Sequence, residues 1–510
     1  MLYRLSQIKF IPIITKFVVY FLAFFIFCFV IWLRQEFGEV SIDQILYHLE
    51  FGSEGLLTAD QSIIRTFYNK SLLLPLILTI IAMLFNADCF NTIKKLYTTI
   101  KVSLVQLLSQ HKLSKKLIFL PKQYYLLTTA FVYALFHFSA FSYFVDSMSP
   151  NSLDFYAQYY KAPSQTKIIA NKPKNLVLIY VESLESTYDN KKIFNEDLLK
   201  NISAHTLGGV SFLKQRQITG TSWTMAGIVS TQCGIPLRPV FGGGDRRKNS
   251  ATELTSQFLP NIDCLGDILK KHDYTNVFIG GAALSFAGKG KFFSDHGYDE
   301  IWGRDELSKI LDPKLPQNHW GVFDDDLLNY AKHKIDLLEQ KGSLYNVTLL
   351  TLDTHMPDGS YSKTCTASGA IEFKDIVRCT STLLADLVHY MDKKGYLENT
   401  TVVIMGDHLV MTNPVTKKLQ KANERFVFNN YIIKNTKLIK NRDEITHVDH
   451  LPTILDSINL TVEGGKIGLG ISGFSQLAIP DNKARFELLN KYATKSSAQY
   501  LEFWQPQVGK

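Results

Sequence analysis

The chain has 510 residues, more than one ordinary domain needs, and 46% of them are hydrophobic. Its mean hydropathy is near zero only as an average of two unlike regions, because the apolar residues are concentrated before Val145. The net charge of +8 comes partly from one lysine-rich segment, and no pattern of interleaved aromatic and basic residues indicates a nucleic-acid partner.

Three apolar stretches before Val145 are predicted to span a membrane as helices: residues 10–33, 71–87 and 124–144. The first contains a single charge, Lys16, and lacks the small-residue cleavage site of a signal peptide, so we expect it to remain as an anchor. The second is the shortest, and its alternative is a re-entrant or interfacial helix.

Lysine distribution predicts how these helices are oriented. Residues 88–123 are rich in lysine, whereas residues 34–70 carry more acids than bases. Because Lys and Arg are retained on the cytoplasmic side, everything after Val145 is predicted to lie outside the cytoplasmic membrane. We therefore expect a multi-pass protein of the bacterial inner membrane with a periplasmic domain.

The predicted organisation is a transmembrane region (1–145), a polar linker (146–174) and a catalytic domain (175–510). In the last part, short apolar runs rich in β-formers alternate with amphipathic stretches. This pattern is typical of an α/β fold with a mainly parallel central sheet covered by helices on both faces.

The predicted strands end in polar residues. Glu182 follows NLVLIYV, Asp353 and His355 follow NVTLLTL, and Asp407 and His408 follow TTVVIMG. Ligands of open α/β sheets bind beyond the carboxyl ends of the strands, so we expect a site there. Each acid alone is more often a helix cap or a surface ion pair.

Glu182, Asp407 and His408 offer oxygen and nitrogen ligands that suit Mn, Mg or Zn. The segment GTSWTMAGIVSTQC then places Thr224 at the start of a small-residue helix, whose free N–H groups can hold a phosphate. A metal could activate the Thr224 hydroxyl to attack phosphorus. The alternative is that Thr221, Ser222 and Thr224 merely cap the helix.

The four cysteines after residue 175 are Cys233, Cys264, Cys365 and Cys379, and no CxxC spacing indicates a zinc or redox centre. A disulfide between Cys365 and Cys379 suits an oxidising compartment and would close a short loop. Free buried thiols are the alternative.

Five ordered motifs carry a resemblance to a known family: VLIYVESLESTY, GTSWTMAGIVSTQCGIPL, AGKGKFFSDHGYDEI, LLTLDTHMPDG and VVIMGDHLVM. Together they resemble the phosphoglycerol transferase I family of the alkaline phosphatase and sulfatase superfamily, which also contains lipoteichoic acid synthase. A weaker match continues through HVDHLPTILD.

The resemblance implies one divalent ion, usually manganese, and a threonine that becomes transiently bonded to glycerol phosphate. The implied metal ligands are Glu182, Thr224, Asp407 and His408, with Thr224 as the nucleophile. His355 matches a histidine that contacts the phosphate, and it could bind a phosphoryl oxygen or act catalytically by protonating a leaving alkoxide; the alternative is that it only supports the residues that do so. Lys289 lies near the position of a basic phosphate-binding residue. Trp223 is expected to shape the glycerol pocket, with simple packing as the alternative.

The chain departs from the family pattern at Met356, where relatives tend to have a second histidine, and at Ser222, where glycine is common. Neither change removes a metal ligand, but both are compatible with an acceptor that differs from the family's. His447 and His450 suggest a second metal, yet we interpret them as structural residues or as supports for the metal ligands, because the superfamily uses this segment largely to return the chain into the sheet.

The leading hypothesis is transfer of glycerol phosphate from phosphatidylglycerol to a periplasmic glucan, with release of diacylglycerol. The alternatives are a phosphoethanolamine transferase, a polyglycerolphosphate synthase, a sulfatase or other hydrolase, and a catalytically inactive scaffold. A C/S-x-P-x-R sulfatase signature is not met by CGIPLR, since Cys233 falls one place too early.

Overall fold

The computed structural model describes residues 2–38, 40, 42–50, 61–84, 122–138, 154–238, 257–311, 317–318, 320–477, 479, 481–495 and 497–505. The chain forms two units. The amino-terminal unit comprises Met1–Ile42 and Gln61–Phe144. The second unit, named the catalytic unit because it contains the predicted catalytic domain, comprises Asp43–Asp60 and Val145–Lys510.

The helices described before residue 145 are α1 (Leu2–Phe37), α2 (Ile42–Glu50), α3 (Gln61–Phe67), α4 (Leu74–Leu84) and α5 (Lys122–His137), and a π-helical turn (Tyr68–Leu73) joins α3 to α4. All but α2 lie in the amino-terminal unit. Its stretches Ile14–Phe37 and Ile63–Leu84 are long and apolar enough to cross a membrane. Residues 85–87 and 139–144 of the predicted second and third spans lie outside the described residues.

Aromatic and polar side-chain contacts hold the amino-terminal helices together. The indole Nε1 of Trp32 donates to Thr66 Oγ1 at 3.1 Å, and the rings of Phe27 and Tyr133 lie 5.1 Å apart. Such contacts matter between apolar helices, because in lipid the hydrophobic effect does not drive helix association.

The central sheet of the catalytic unit has six strands in the order β5-β4-β6-β2-β7-β8. Neighbours are parallel except at the β7–β8 edge, and Leu178 of the central strand pairs with Thr348 on one side and Val403 on the other. The strands of this unit are β1 (Ile168–Ala170), β2 (Asn175–Val181), β3 (Lys214–Arg216), β4 (Thr275–Gly280), β5 (Glu300–Trp302), β6 (Tyr345–Leu350), β7 (Thr400–Gly406), β8 (Asn429–Ile432), β9 (Glu444–Thr446), β10 (Leu460–Val462), β11 (Lys466–Ile467) and β12 (Gly470–Ile471).

Helices cover both faces of this sheet. After α2, the helices of the unit are α6 (Phe155–Tyr159), α7 (Lys191–Phe194), α8 (Ala204–Leu207), α9 (Thr224–Cys233), α10 (Leu265–Lys270), α11 (Lys289–Asp295), α12 (Arg304–Leu307), α13 (Asp324–Lys341), α14 (Lys363–Ala367), α15 (Phe373–Lys393), α16 (Thr416–Leu419), α17 (His450–Ser457), α18 (Asn482–Tyr492) and α19 (Ala498–Glu502).

Strand β2 shows why the two layers form. Leu178 and Tyr180 pack into one apolar cluster, which contains Ile228 of α9, whereas Val177 and Ile179 pack into another on the opposite face. Successive side chains of a strand alternate between faces, so an uninterrupted apolar strand needs cover on both. Each fully buried aliphatic side chain contributes about 1.5–3 kcal/mol. The predicted α/β fold is confirmed.

The segment predicted as a linker, residues 146–174, is folded from Asp154 onward. Asp154 caps α6, and the buried Tyr156 donates its hydroxyl hydrogen to Ala493 O at 2.7 Å. Strand β1 then pairs antiparallel with β10. The sequence did not reveal these partners, because they lie about three hundred residues further along the chain.

Two disulfides join four cysteines of the catalytic unit. Cys365 pairs with Cys379, as predicted, and Cys233 at the end of α9 pairs with Cys264 just before α10. The second bond ties the carboxyl end of α9 to the neighbouring helix.

Candidate active site

Thr224 lies at the start of α9, where the chain changes from extended backbone at Trp223 to helix. The first N–H groups of a helix have no partner within it and favour an anion. Gly227, one turn later, lets this helix approach the opposite loop, since a Cβ placed there would lie 2.0 Å from the carbonyl oxygen of Asp407. The glycine therefore sets how close the Thr224 hydroxyl comes to the loop after β7.

Glu182 follows β2 and is almost fully buried. Its Oε1 accepts a hydrogen bond from Ser183 Oγ at 2.7 Å, and its Oε2 accepts one from Thr224 Oγ1 at 3.3 Å. Thr354 donates its hydroxyl hydrogen to the Glu182 carbonyl at 2.6 Å, and Thr351 Oγ1 accepts from the Glu182 amide. These bonds fix the carboxylate beside the threonine.

Asp407 and His408 follow β7 and are buried. Asp407 Oδ1 accepts from the amides of Ser183 and His408 at 2.8 and 2.9 Å, which leaves Oδ2 without a partner among the described residues. His408 Nδ1 lies 2.8 Å from Leu409 O, and donation to that carbonyl leaves Nε2 with a free lone pair.

The unpaired atoms point at one another. His408 Nε2 lies 3.6 Å from Glu182 Oε1 and 3.5 Å from Asp407 Oδ2, and the ligand atoms of all three residues lie within 4.8 Å of each other. Buried polar atoms without partners are costly, and a dication would satisfy them together. Two carboxylates, an imidazole and the adjacent hydroxyl of Thr224 therefore fit a divalent metal ion.

Charge in this small volume shifts the pKa values of its members. Burial and the neighbouring Glu182 charge raise the pKa of Asp407 to about 7. Burial would also raise the pKa of Glu182, but His355 and His408 and two hydrogen bonds hold it below its ordinary value. Burial opposes protonation of His408, yet the two carboxylates raise its pKa. The cluster thus attracts positive charge.

Lys289 starts α11 and is 3% exposed, so its ammonium is almost out of water. Burial lowers its pKa to about 8, while the charges of Glu182 and Asp407 oppose the shift. The preceding residues Ala287 and Gly288 adopt left-handed backbone with φ of 55° and 69°, which turns the chain into the helix. A lysine poised beside the acids can bind a phosphate without being fixed to either acid.

His355 lies in the loop after β6, and its ring centroid is 4.2 Å from that of Trp320. Its Nδ1 lies 2.8 Å from Met356 O. Burial lowers its pKa below the ordinary value, although Glu182 opposes this. With Nδ1–H donated to Met356, the neutral ring presents Nε2 as an acceptor.

The loop that carries His355 is held by Asp324, a residue that was not predicted from the sequence. Asp324 accepts hydrogen bonds from the amides of Leu352 and Asp353 at 2.6 and 3.2 Å, and Asp353 accepts from the Asp324 amide at 3.2 Å. The sequence does show three consecutive acids at the start of α13. Acids are common in the first turn of a helix, so this pattern did not indicate a role for Asp324 in the site.

The predicted site residues thus come together, with Glu182, Thr224, Asp407 and His408 at the centre and Lys289 and His355 within electrostatic reach of Glu182. Trp223 precedes the nucleophile candidate and is buried, with no partner for its Nε1 among the described residues. His447 Nε2 is 2.9 Å from Asp407 O, and His450 Nδ1 is 2.6 Å from Tyr431 Oη. The geometry gives His447 a supporting position.

Comparisons with known proteins agree with this architecture. The family model described as Sulfatase matches residues 174–460. Proteins named phosphoglycerol transferase I from Citrobacter koseri and Escherichia coli O127:H6 are each 35% identical to the chain, over 349 and 342 residues. These matches cover 66% and 65% of this chain but only 44% and 43% of those proteins, so the chain spans less than half the length of these relatives.

Solved structures with a similar fold include the lipoteichoic acid synthase LtaP from Listeria monocytogenes, with a TM-score of 0.46 and 16% identity over 65% of this chain and 92% of that one. Another is the lipooligosaccharide phosphoethanolamine transferase EptA from Neisseria meningitidis, an integral membrane protein. Its TM-score is 0.47 and its identity 13%, over 87% of this chain and 84% of that one.

Proposed function

Because the chain belongs to the sulfatase family, we propose that its catalytic unit moves glycerol phosphate from phosphatidylglycerol to a periplasmic glucan and releases diacylglycerol. The name phosphoglycerol transferase I, carried by relatives 35% identical to it, supports this choice within a family that includes hydrolases.

The observation that carries the proposal is the contact between Thr224 and a buried cluster with unpaired ligand atoms. Thr224 Oγ1 lies 3.3 Å from Glu182 Oε2, and the lone atoms of Asp407 and His408 face the same space. A threonine at a helix start, beside acids and imidazoles, has the parts that a phosphoryl-transfer nucleophile needs.

Glu182, Thr224, Asp407 and His408 would hold the ion, for which we propose manganese, with magnesium or zinc as alternatives. The ion would lower the pKa of the Thr224 hydroxyl and neutralise negative charge on the phosphate. The protein's part is to fix its ligands, which the hydrogen bonds from Ser183 and the His408 amide achieve.

In the first half of the reaction, Thr224 Oγ1 attacks the phosphorus of the donor. The bond from phosphorus to the diacylglycerol oxygen breaks, and glycerol phosphate becomes esterified to Thr224. Neutral His355 accepts the threonine proton at Nε2 and passes it to the leaving alkoxide, so that atoms and protons balance. The ammonium of Lys289 binds the phosphate oxygens.

In the second half, a glucan hydroxyl attacks the same phosphorus from the vacated side. His355 takes the proton of that hydroxyl and returns it to Thr224 as the threonine ester breaks. The free N–H groups at the start of α9 hold the phosphate in both halves. The enzyme is thereby restored.

One disulfide bond argues against the alternative that the protein is a sulfatase acting through a modified cysteine. Cys233, the cysteine of CGIPLR, is bonded to Cys264 at the far end of α9 from Thr224. A cysteine in a disulfide cannot be the precursor of formylglycine, so Thr224 remains the nucleophile of choice.

The test is to incubate detergent-solubilised protein with head-group-labelled phosphatidylglycerol, with and without glucan. We expect diacylglycerol release, transfer of label to glucan, and, without acceptor, a glycerol phosphate adduct on the peptide containing Thr224. Thr224→Ala should lose release and transfer together, because both depend on one attack.

Ser222→Ala is the matched control, since it removes a hydroxyl two residues away. It should slow the reaction without stopping it. An adduct on Ser222 would identify Ser222 as the nucleophile instead of Thr224. Normal turnover by Thr224→Ala would rule out the covalent mechanism.

A further inference from the structure

Helix α2 lies within residues 34–70, the predicted connector between the first two spans, yet it packs within the catalytic unit. Tyr47 is fully buried and donates its hydroxyl hydrogen to Ala287 O at 2.8 Å. Its ring centroid lies 6.1 Å from that of Trp223, the neighbour of Thr224. Helix α2 therefore contacts both the turn before Lys289 and the start of α9.

His48, the next residue, lies beside the same turn. Its ring stacks on Phe286 with centroids 5.8 Å apart, and Lys289 places its ammonium 4.6 Å from the centroid of that phenyl ring. Among the residues that the structure describes, no hydrogen bond engages either nitrogen of His48. Burial, followed by the charge of Lys289, lowers the pKa of His48 to about 4, so the ring is neutral near pH 7.

A continuous row of rings links His48 to the reaction centre. Phe286 lies 5.6 Å from Trp320, and Trp320 lies 4.2 Å from His355, measured between ring centroids. His48 thus sits at one end of an aromatic wall whose other end is the proposed proton carrier. Lys289, between the two, is the phosphate ligand of the proposed function.

We propose that His48 recognises the glycerol hydroxyls of the donor headgroup while Lys289 binds its phosphate. The inference rests on the proposed function, because it names the part of phosphatidylglycerol that His48 contacts. A neutral imidazole offers one donor and one acceptor, which match two adjacent hydroxyls. An ethanolamine ammonium offers donors only and would face the Lys289 charge.

The experiment compares full-length wild-type protein with His48→Ala and His48→Gln on three substrates: phosphatidylglycerol, phosphatidylethanolamine and bis(p-nitrophenyl) phosphate, a phosphodiester without glycerol. His48→Ala should release diacylglycerol from phosphatidylglycerol about tenfold more slowly, with turnover of the glycerol-free diester unchanged. His48→Gln keeps a donor and an acceptor and should recover part of the loss.

His389→Ala is the matched control. This exposed histidine lies near the end of α15, on the side of the sheet where β7 begins rather than where it ends. It should leave all three rates unchanged.

Equal losses of His48→Ala on phosphatidylglycerol and the glycerol-free diester would overturn the inference in favour of a structural role. An unchanged rate on phosphatidylglycerol would overturn it as well. Wild-type protein that turns over the diester but not phosphatidylglycerol would instead overturn the proposed function, and the inference with it.

Discussion

Replacing Gly227 by alanine tests whether the close approach of α9 to the Asp407 loop assembles the site. The added Cβ would lie 2.0 Å from the Asp407 carbonyl oxygen and 2.9 Å from its carbon. Real Cβ atoms are essentially never found within 3.0 Å of another heavy atom, so the helix or the loop must separate by at least 1.0 Å, the difference between 3.0 and 2.0 Å. Asp407 cannot move alone, because β7 and Ser183 hold it.

A displacement of that size reaches the reacting atoms, since Thr224 lies one helical turn from Gly227. Misplacement of reacting groups by 1 Å costs about 100-fold in rate. We therefore expect Gly227→Ala to lower kcat for diacylglycerol release by about 100-fold and to weaken metal binding. The assays are steady-state release kinetics and metal titration of the purified protein.

Two controls separate displacement from loss of stability. Gly342 lies at the left-handed end of α13, and a Cβ added there would have no non-neighbouring heavy atom within 4 Å. Gly342→Ala should therefore cost about 1–2 kcal/mol of stability, through its backbone conformation alone, and leave kcat unchanged. Ser230→Ala, in α9 itself, removes atoms rather than adding them. Wild-type kcat in Gly227→Ala, or an equal loss in Gly342→Ala, would refute the reasoning.

Three further predictions concern the ion, the lysine and the membrane topology. Asp407→Asn should weaken metal binding by about 100-fold or more and abolish transfer while the far-ultraviolet circular dichroism stays unchanged; full activity of exhaustively chelated wild-type protein would contradict this. Because burial lowers the pKa of Lys289 to about 8, the KM for donor should rise as pH increases through about 8 and Lys289 loses its charge. In Lys289→Arg, whose guanidinium stays protonated, the rise in KM with pH should disappear. A rise that persists in this variant would have to come from the titration of another group. A reporter fused after Pro150 should be active only if it functions in the periplasm; cytoplasmic activity would invalidate the three-span model.

Three central strands, β2, β6 and β7, and the residues that follow them were predictable because each is a continuous apolar run that ends abruptly. Glu182, Asp407 and His408 stand directly after such runs, and parallel strands bring their carboxyl ends to one edge. For these residues the local pattern alone determines the position. Thr224 followed from the small-residue helix, whose amino end meets the same edge.

Contacts between distant parts of the chain were not predictable. The residues around Tyr47 do not indicate that Ala287 is its partner, and the residues around Cys233 do not indicate that it pairs with Cys264. Asp324 likewise has the sequence position of an ordinary first-turn acid, and only the structure shows that it accepts a hydrogen bond from the Leu352 amide. Pairing at long sequence separation depends on the assembled fold, which a single sequence does not reveal.

The position of α2 also has a consequence for how the protein is made. Tyr47 and its partner Ala287 are 240 residues apart. At a synthesis rate of about 5–20 residues per second, α2 leaves the ribosome roughly 10–50 seconds before the turn it binds exists. During that interval its buried face has no native partner, so its contacts can form only after that turn has been synthesised. Tyr47, although it lies within the first fifty residues, is therefore buried only after more than half of the chain has been synthesised.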